Sequence, residues 1–184
     1  VFGASLGGAI IKDKLFFFVN YESQRQTTPA TTWVADGSPL DAGGNNVTRV
    51  LASDLDALST YLRDKYRYET GPYENYDNET KSDKFLVRLD WNVNDKNRLT
   101  LRYTHHNSLS DQLISNSASA GAGNRRTSFD AMSYQNAGYI IGDNTRSFVA
   151  ELNTQINNRV YNTFSAGYDF QDEDRQYKGD LFPT

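Results

Sequence analysis

Hydrophobic and polar residues alternate along several stretches of the chain, and the alternation has a period of two. In the stretch FLVRLDWNV, which runs from Phe85 to Val93, every second residue is apolar and those between are mainly polar. Because successive side chains of a β-strand point to opposite faces, this pattern predicts a strand with one apolar and one polar face. The stretch from Leu99 to His105 alternates in the same way, and the turn sequence NDKNR separates the two.

The two alternating stretches predict a β-hairpin with a defined register. We expect Val93 to lie opposite Leu99, because apolar side chains then meet along the whole pair. The same register places Asp90 opposite Arg102 on the polar face, where opposite charges attract. A shift of one residue would reverse both faces, so the pattern specifies the pairing strongly.

A second alternating pair of stretches follows further along the chain, on either side of the turn sequence NNR. Pairing Ile156 with Val160 across this turn brings Leu152 opposite Phe164. Apolar residues again meet apolar residues, which predicts a second hairpin with one apolar face.

A third hairpin is predicted at the start of the chain, in the stretch FGASLGGAIIKDKLFFFVNYESQRQ. We place its turn at Lys12-Asp13. Three consecutive phenylalanines cannot share one face of a strand, and this register sets each of them opposite a small residue, so that the ring lies over the gap that the small residue leaves. The expected pairs are Gly7–Phe18, Gly8–Phe17, Ala9–Phe16 and Ile10–Leu15.

Short and long connections alternate strictly between the strands. Compact soluble domains rarely contain long connections without structure, whereas outer-membrane barrels join tilted strands of about 9–11 residues by tight turns on one side and long loops on the other. The pattern therefore predicts an all-β fold, an antiparallel meander of six strands from a large transmembrane β-barrel. The strands cover about 2–11, 14–26, 83–93, 98–107, 146–156 and 160–171, and the long outer loops about 27–82 and 108–145.

One short helix is predicted in the first long loop, from about Ser53 to Tyr66. Leucines recur there at helical spacing, and Ser53 with Asp56 three residues later suits a capping box. We interpret this helix as a packed loop element. The second loop contains SNSASAGAGNRRTSFDAMSYQNAGYIIGDN at residues 115–144, a composition rich in Gly, Ser and Asn that predicts a mobile segment.

The alternation assigns each strand residue to one side of the barrel wall. Aromatic residues near the ends of the apolar faces suit the interfacial girdles of such barrels. The predicted lipid-facing residues are Leu15, Phe17, Val19, Tyr21, Phe85, Val87, Leu89, Trp91, Leu99, Leu101, Tyr103, Phe148, Leu152, Phe164 and Tyr168. The predicted lumen-facing residues are Phe16, Phe18, Glu22, Arg88, Asp90, Arg102, Glu151 and Asp169, of which Phe16 and Phe18 would pack against a plug.

Composition narrows the function classes. The 184 residues contain no cysteine, which excludes disulfides and thiolate metal sites, and the net charge of -4 gives no support for a nucleic-acid partner. The two histidines have no Ser or Cys nucleophile motif beside them, so we expect no enzymatic activity and no cofactor.

Two clusters suggest metal ions, and we favour the simpler interpretation of each. His105 and His106 are adjacent on a strand and point to opposite faces, so they cannot chelate one ion from a regular strand. The acidic run from Asp172 to Asp174 lacks the ligand spacing and the turn glycine of a calcium loop, and we interpret it as the solvated start of a loop. We therefore predict no metal site.

The hairpin sequences also resemble a known family. The stretches FGASLGGAIIKDKLFFFVNYESQRQ, SDKFLVRLDWNVNDKNRLTLRYTHHN and NTRSFVAELNTQINNRVYNTFSAGYDFQDED resemble, in this order, the first three barrel hairpins of Oar-like TonB-dependent outer-membrane receptors from Bacteroidetes and Acidobacteria. The resemblance implies a barrel of about 22 strands with an N-terminal plug and a TonB box. It implies that the chain is a segment from the N-terminal part of that barrel. Ala9 departs from the family, which commonly has Pro there.

Two function hypotheses follow. In the first, the chain is a segment of an outer-membrane transporter for energy-coupled passage of a large solute. Its partners are then the rest of the barrel and the plug, TonB through the N-terminal part, membrane lipid and an unidentified solute. In the second, it is a soluble or cell-surface β-sandwich binding module without catalysis, whose strands would also have one apolar face. Folding of the chain in plain buffer would discriminate between them, because an open arc of barrel wall exposes both edges and an apolar face.

Overall fold

The structure is a computed structural model that describes residues 1–44, 46–114 and 125–181. Residues 115–124, the first part of the segment for which we predict mobility, lie outside these residues, and for the remainder mobility stays a prediction. Most of the described chain forms an antiparallel six-stranded sheet with the strand order β1-β2-β5-β6-β7-β8. The six strands are β1 (Phe2–Ile11), β2 (Leu15–Pro29), β5 (Asp77–Asn94), β6 (Asn97–Gln112), β7 (Tyr139–Asn157) and β8 (Val160–Tyr177).

The predicted all-β meander is therefore confirmed, although several strands are longer than the pattern indicates. β5 begins at Asp77 instead of about 83, and β7 begins at Tyr139 instead of about 146. The additional residues of β5 are DNETKS, in which apolar residues do not alternate with polar ones. Backbone hydrogen bonding continues there without an apolar face, and a hydropathy pattern does not detect that.

The first long connection contains structure that alternation does not indicate. Two short strands, β3 (Val34–Asp36) and β4 (Val47–Leu51), pair in parallel and lead into helix α1 (Ala52–Tyr66). A 3₁₀ turn, Gln135–Ala137, precedes β7 in the second connection. Among the described residues, no helix is long and apolar enough to span a membrane.

The helix occurs where the leucine spacing predicts it, but the predicted cap is wrong. The residue at the N-cap position is Leu51, which makes no side-chain capping bond, while Ser53 lies inside the first turn. Because β4 runs directly into α1, the last strand residue occupies the cap position. At the other end Arg67 adopts a left-handed conformation with a φ of 59°, and its N–H bonds back to the carbonyl of Arg63.

The first hairpin has almost the predicted register. Gly7 pairs with Phe18, and the two pairs that follow it toward the turn, Gly8–Phe17 and Ala9–Phe16, also match. The predicted Ile10–Leu15 pair is wrong, because Leu15 pairs with Ile11 and the strand is irregular between Ala9 and Ile11. One extra residue on β1 is the mark of a β-bulge.

The three hairpin turns are short. Residues 12–14 form the first, with Lys14 N–H bonded to the carbonyl of Ile11 and Asp13 in a left-handed conformation that aspartate tolerates. In the second, the side-chain oxygen of Asn94 accepts bonds from the backbone N–H groups of Lys96 and Asn97. In the third, Asn157 accepts a bond from the N–H of Arg159 in the same way.

By its contacts the chain divides into two compact units, which we describe separately. The first consists of Val1–Arg25, Lys81–Leu109 and Gly142–Asp174, and it contains the three short turns. The second consists of Gln26–Thr80, Ser110–Ile141 and Arg175–Thr184, and it contains both long connections.

Candidate functional site

The second unit has a small core of its own. Ala35 from β3 and Ala52 and Leu55 from α1 are buried together. Four partly buried residues pack against them: Val50, Tyr73, Met132 and Tyr134. The two long connections thus both contribute to one folded core.

Two tyrosines link this core to the helix. The rings of Tyr73 and Tyr134 pack edge to face with their centroids 6.0 Å apart, a favourable aromatic geometry. The Tyr134 hydroxyl donates to the backbone carbonyl of Leu55 at 2.6 Å, and the Tyr73 hydroxyl donates to Asp56 at 3.1 Å. Burial, supported by the bond to the Asp56 carboxylate, raises the pKa of Tyr73 to about 12. Burial, followed by the charge of Asp56, also raises the pKa of Tyr134.

A carboxylate fixes the loop after β3. Glu74 accepts a bond from the backbone N–H of Ala35 at 2.9 Å and another from the hydroxyl of buried Ser38. The oxygen of Ser38 in turn accepts the N–H of Leu40 at 3.1 Å. Bonds to a charged acceptor are stronger than neutral ones, so this network holds the loop in one conformation.

The second unit also contains a cavity of about 290 Å³. Aromatic rings and amide side chains share its wall, as in many sites for polar ligands. Burial raises the pKa of Tyr76, so its hydroxyl stays protonated at neutral pH and can donate a hydrogen bond. The side chains that offer stacking surface or hydrogen bonds are those of Trp33, Tyr76, Asn78, Gln112, Arg126, Ser133, Tyr134 and Gln135.

An ion pair holds one wall of this cavity in place. Asp111 accepts bonds from the Lys178 ammonium at 3.0 Å and from the backbone N–H of Glu79 at 2.9 Å. Lys178 also donates to the side-chain oxygen of Asn78 at 3.1 Å. The Lys178 and Asp111 side chains are only 10% and 15% exposed, so solvent screens this pair far less than a surface pair. Sequence reasoning missed it because the two charges are far apart in the chain.

The polar face of the first unit contains a charge network centred on Asp90. This carboxylate lies 2.8 Å from the guanidinium of Arg88 and 3.2 Å from that of Arg98, and it accepts a bond from Thr100 at 2.8 Å. Among the described residues no ion pair joins Asp90 to the predicted partner Arg102, and on β6 the carboxylate contacts Arg98 and Thr100 instead. The turn between β5 and β6 is shorter than predicted, since β5 ends at Asn94 and β6 begins at Asn97.

Neighbouring strands extend the polar face. Glu151 accepts a bond from Asn153, which accepts one from Thr163, both at 2.7 Å. The second contact agrees with the predicted register of β7 and β8, in which Asn153 and Thr163 lie directly opposite. On β2, Glu22 forms an ion pair with Lys84 at 3.0 Å. Of the other residues assigned to the lumen, Phe16, Phe18, Arg102 and Asp169 lie in β2, β6 and β8.

The residues assigned to the lipid side also lie in these strands. Large side chains among them stay exposed in this chain: Tyr21, Phe85, Trp91, Phe148, Phe164 and Tyr168. The others are Leu15, Phe17, Val19, Val87, Leu89, Leu99, Leu101, Tyr103 and Leu152. Which side faces lipid and which faces the lumen stays a prediction.

A polar cluster of Tyr21, Arg25 and Asp83 lies on the predicted lipid side, and the sequence-based prediction does not include it. Arg25 binds Asp83 with two bonds of 2.9 and 3.2 Å, and the Tyr21 hydroxyl donates to the same carboxylate at 2.7 Å. The signal was available, because Tyr21 and Arg25 are both odd-numbered in β2 and therefore share a face. The alternation predicts that β5 begins at about residue 83, so it gives no cross-strand partner for Asp83, whereas β5 begins at Asp77.

The two histidines bond to different strands. The Nε2 atom of His105 forms a hydrogen bond of 3.0 Å with Oδ1 of Asn144, and that of His106 forms one of 3.0 Å with Oγ of Ser82. Within the ranges that the structure describes, no group of three or more His, Asp or Glu side chains could hold a metal ion, including the run from Asp172 to Asp174.

Comparison with known proteins gives one match. A family model described as an outer membrane beta barrel domain matches residues 1–182 of this chain. No curated protein and no solved structure matches it.

Proposed function

Because the chain belongs to the outer membrane beta barrel domain family, and so to the bacterial outer membrane, we propose that it forms part of a TonB-dependent receptor. In this role it serves energy-coupled passage of a large solute and has no enzymatic activity. The partners are the remaining barrel strands, a plug domain, TonB through the N-terminal part of the receptor, membrane lipid and the solute.

The observation that carries this proposal is the folded core and cavity in the long connections. A passive pore needs a wall and a constriction, whereas a receptor needs a surface that recognises its solute before transport. The cavity beside Trp33, Tyr76 and Tyr134 offers stacking faces, and Asn78 offers an amide whose position Lys178 fixes. Binding residues of barrels and other rigid scaffolds lie disproportionately on such connections.

The polar face of the first unit supports the same role. Asp90 holds two guanidinium groups, and Glu22 binds Lys84, so the charges on this face are largely neutralised within the wall. A face of that kind can contact a plug that must be released again, because few of its charges require a partner on the plug. Phe16 and Phe18 would supply the apolar part of that contact.

An uptake experiment tests the proposal. A strain that lacks the gene is offered labelled siderophores, glycans and peptides, with and without a protonophore. We expect the intact strain to accumulate one class, and we expect accumulation to stop when the gene, TonB or the proton gradient is removed. Accumulation that persists without TonB would contradict energy coupling and leave a passive pore.

A substitution in the cavity wall tests whether the cavity binds the solute that is taken up. Trp33→Ala removes the largest ring of the wall, and stacking of a solute ring on one aromatic side chain contributes enough for about a tenfold loss of affinity. We expect half-saturation at about tenfold higher solute concentration with unchanged surface expression. Trp91→Ala is the matched control, because Trp91 lies on β5 in the first unit.

The soluble β-sandwich module loses its support with the family membership. An unfolding experiment in buffer tests this alternative, because a soluble module unfolds cooperatively without detergent. We expect no cooperative transition from these residues without detergent or lipid, since the exposed rings of the sheet need a bilayer.

A further inference from the structure

An apolar slot lies on the face of the sheet that we assign to lipid, across three neighbouring strands. Its volume is about 360 Å³, and it belongs entirely to the first unit. Phe148, Tyr168 and Phe170 stay exposed although they are large apolar rings. The slot is lined by Tyr103, Arg146, Ser147, Phe148, Tyr168 and Phe170.

A single charged residue, Arg146, stands at one end of this slot. It shares its face of β7 with Phe148, Leu152 and Ile156, since these positions have the same parity. Within the described part of the chain, no carboxylate lies within ion-pair distance of its guanidinium. An unpaired guanidinium at the border of a bilayer is unfavourable unless it reaches an anion or water.

The position of Arg146 along β7 corresponds to the border of the apolar band. It lies ten residues before Ile156, next to the short turn, which is about 33 Å along the strand. A tilt of about 35–45° reduces this to about 23–27 Å in height, and the apolar band of outer-membrane barrels is about 25 Å tall. Short turns face the periplasm, so Arg146 reaches the headgroup level of the outer leaflet.

Arg25 provides an internal comparison. It lies ten residues after Leu15, at the matching distance from its own short turn, and on the same predicted face. Asp83 neutralises it at 2.9 Å, and Tyr21 completes the cluster. The wall thus satisfies one arginine at this level and leaves another beside an open apolar slot.

We propose that this slot binds a phosphate-bearing lipid of the outer leaflet. The guanidinium of Arg146 binds the phosphate, a geometry for which arginine is well suited, and an acyl chain lies against Phe148, Tyr168 and Phe170. This site is separate from the solute cavity and does not depend on the proposed transport function.

The test uses the intact outer-membrane protein purified in detergent and titrated with lipid A, followed by native mass spectrometry. We expect the unaltered protein to bind one lipid more tightly than chemically dephosphorylated lipid A. Arg146→Gln should weaken binding of lipid A about tenfold, because a charge-assisted bond to phosphate is lost. Arg146→Lys should keep part of the affinity, since the charge remains without the bidentate geometry.

Arg25→Gln is the matched control, and we expect it to bind lipid A like the unaltered protein. Correct folding of every variant is checked by its electrophoretic mobility before and after heating. Equal affinity for lipid A and its dephosphorylated form would overturn the proposal, and so would an unchanged affinity in Arg146→Gln. Displacement of the lipid by millimolar inorganic phosphate would also overturn it, because the site would then bind a free anion.

Discussion

Several charged residues of this chain contact partners on other strands that the sequence pattern alone does not identify. Asp90 shows this most clearly, because three donors from two strands meet at one carboxylate that is only 15% exposed. The polar character of its face follows from alternation alone. The identity of the partners does not, because a change in turn length moves every cross-strand contact.

Removing the charge of Asp90 tests how much this network stabilises the wall. Asp90→Asn keeps the shape but leaves Arg88 and Arg98 without their carboxylate. We expect a loss of about 1–2 kcal/mol in the free energy of unfolding, measured from urea titrations in lipid vesicles. Asp95→Asn in the adjacent turn, an exposed position, should change stability by less than about 0.5 kcal/mol. An equal effect of both variants would contradict the network.

The raised pKa of Tyr73 gives a prediction with a defined sign. Because the pKa in the folded state lies above its ordinary value of 10.0, the protonated hydroxyl stabilises the fold fully below about pH 10. That contribution is lost as the pH rises through about 12. The difference in tyrosinate absorbance between the unaltered protein and Tyr73→Phe should therefore appear near pH 12.

Asp56→Asn serves as the control for this titration. The asparagine removes the carboxylate that accepts the Tyr73 hydroxyl, so the step should move to lower pH without reaching the value of a free tyrosine, because burial is the larger cause. A Tyr73 step that stays near pH 10 in the unaltered protein would show that the ring is solvated.

At the level of elements, the first hairpin shows what a sequence can specify. Bulky and small residues face each other in only one register, so three of the four predicted pairs are confirmed. The fourth pair, Ile10–Leu15, is wrong because a β-bulge adds one residue to β1. The pattern of apolar residues does not indicate where such a bulge occurs. The sequence pattern also does not predict the short strands β3 and β4, because they have too few residues to show the two-residue alternation of a strand.

The two glycines of this hairpin should respond differently to substitution. A Cβ atom on Gly7 would lie 3.1 Å from the Phe18 ring and 3.2 Å from the Phe17 carbonyl oxygen, which forces a shift. A Cβ on Gly8 would lie 3.7 Å from the Phe17 ring, an ordinary contact. We expect Gly7→Ala to destabilise the protein by about 1 kcal/mol and Gly8→Ala to be neutral in urea titrations. The reverse order would contradict the observed register.

The start of helix α1 provides another test at this level. Leu51 occupies the N-cap without a side-chain bond, so Leu51→Asp should add one and slow hydrogen exchange of the Ser53 and Asp54 amides. Ser53→Ala should leave exchange unchanged, because Ser53 is not the cap. If Ser53→Ala accelerated exchange instead, the helix would begin where the sequence alone predicts.

At the level of the whole molecule, alternation predicts the wall and fails on the connections. Each strand repeats one rule, so local patterns add up to a meander with six strands. The core around Leu55 and the buried pair of Asp111 and Lys178 depend on contacts between distant segments, for which a single sequence has no periodic signal. The candidate solute site therefore emerged only from the three-dimensional structure.

The assignment of faces is the prediction that belongs to this scale. The chain has no cysteine, so spin labels can be attached at single introduced thiols. A label at Leu101→Cys should be more accessible to oxygen, which concentrates in lipid, and one at Arg102→Cys to a water-soluble nickel complex. These residues are adjacent in β6, so they differ mainly in direction. Equal accessibilities at both positions would contradict the assignment.

The pairing of glycines with phenylalanines also bears on natural variation. At Gly7 the neighbouring ring and carbonyl restrict size, whatever the polarity of a replacement. Sequence variants of this strand should therefore be selected by side-chain volume, whereas variants at Phe18 should be selected by the area of the ring. Compensating exchanges, a larger residue on one strand with a smaller one on the other, are the expected trace of this contact across lineages.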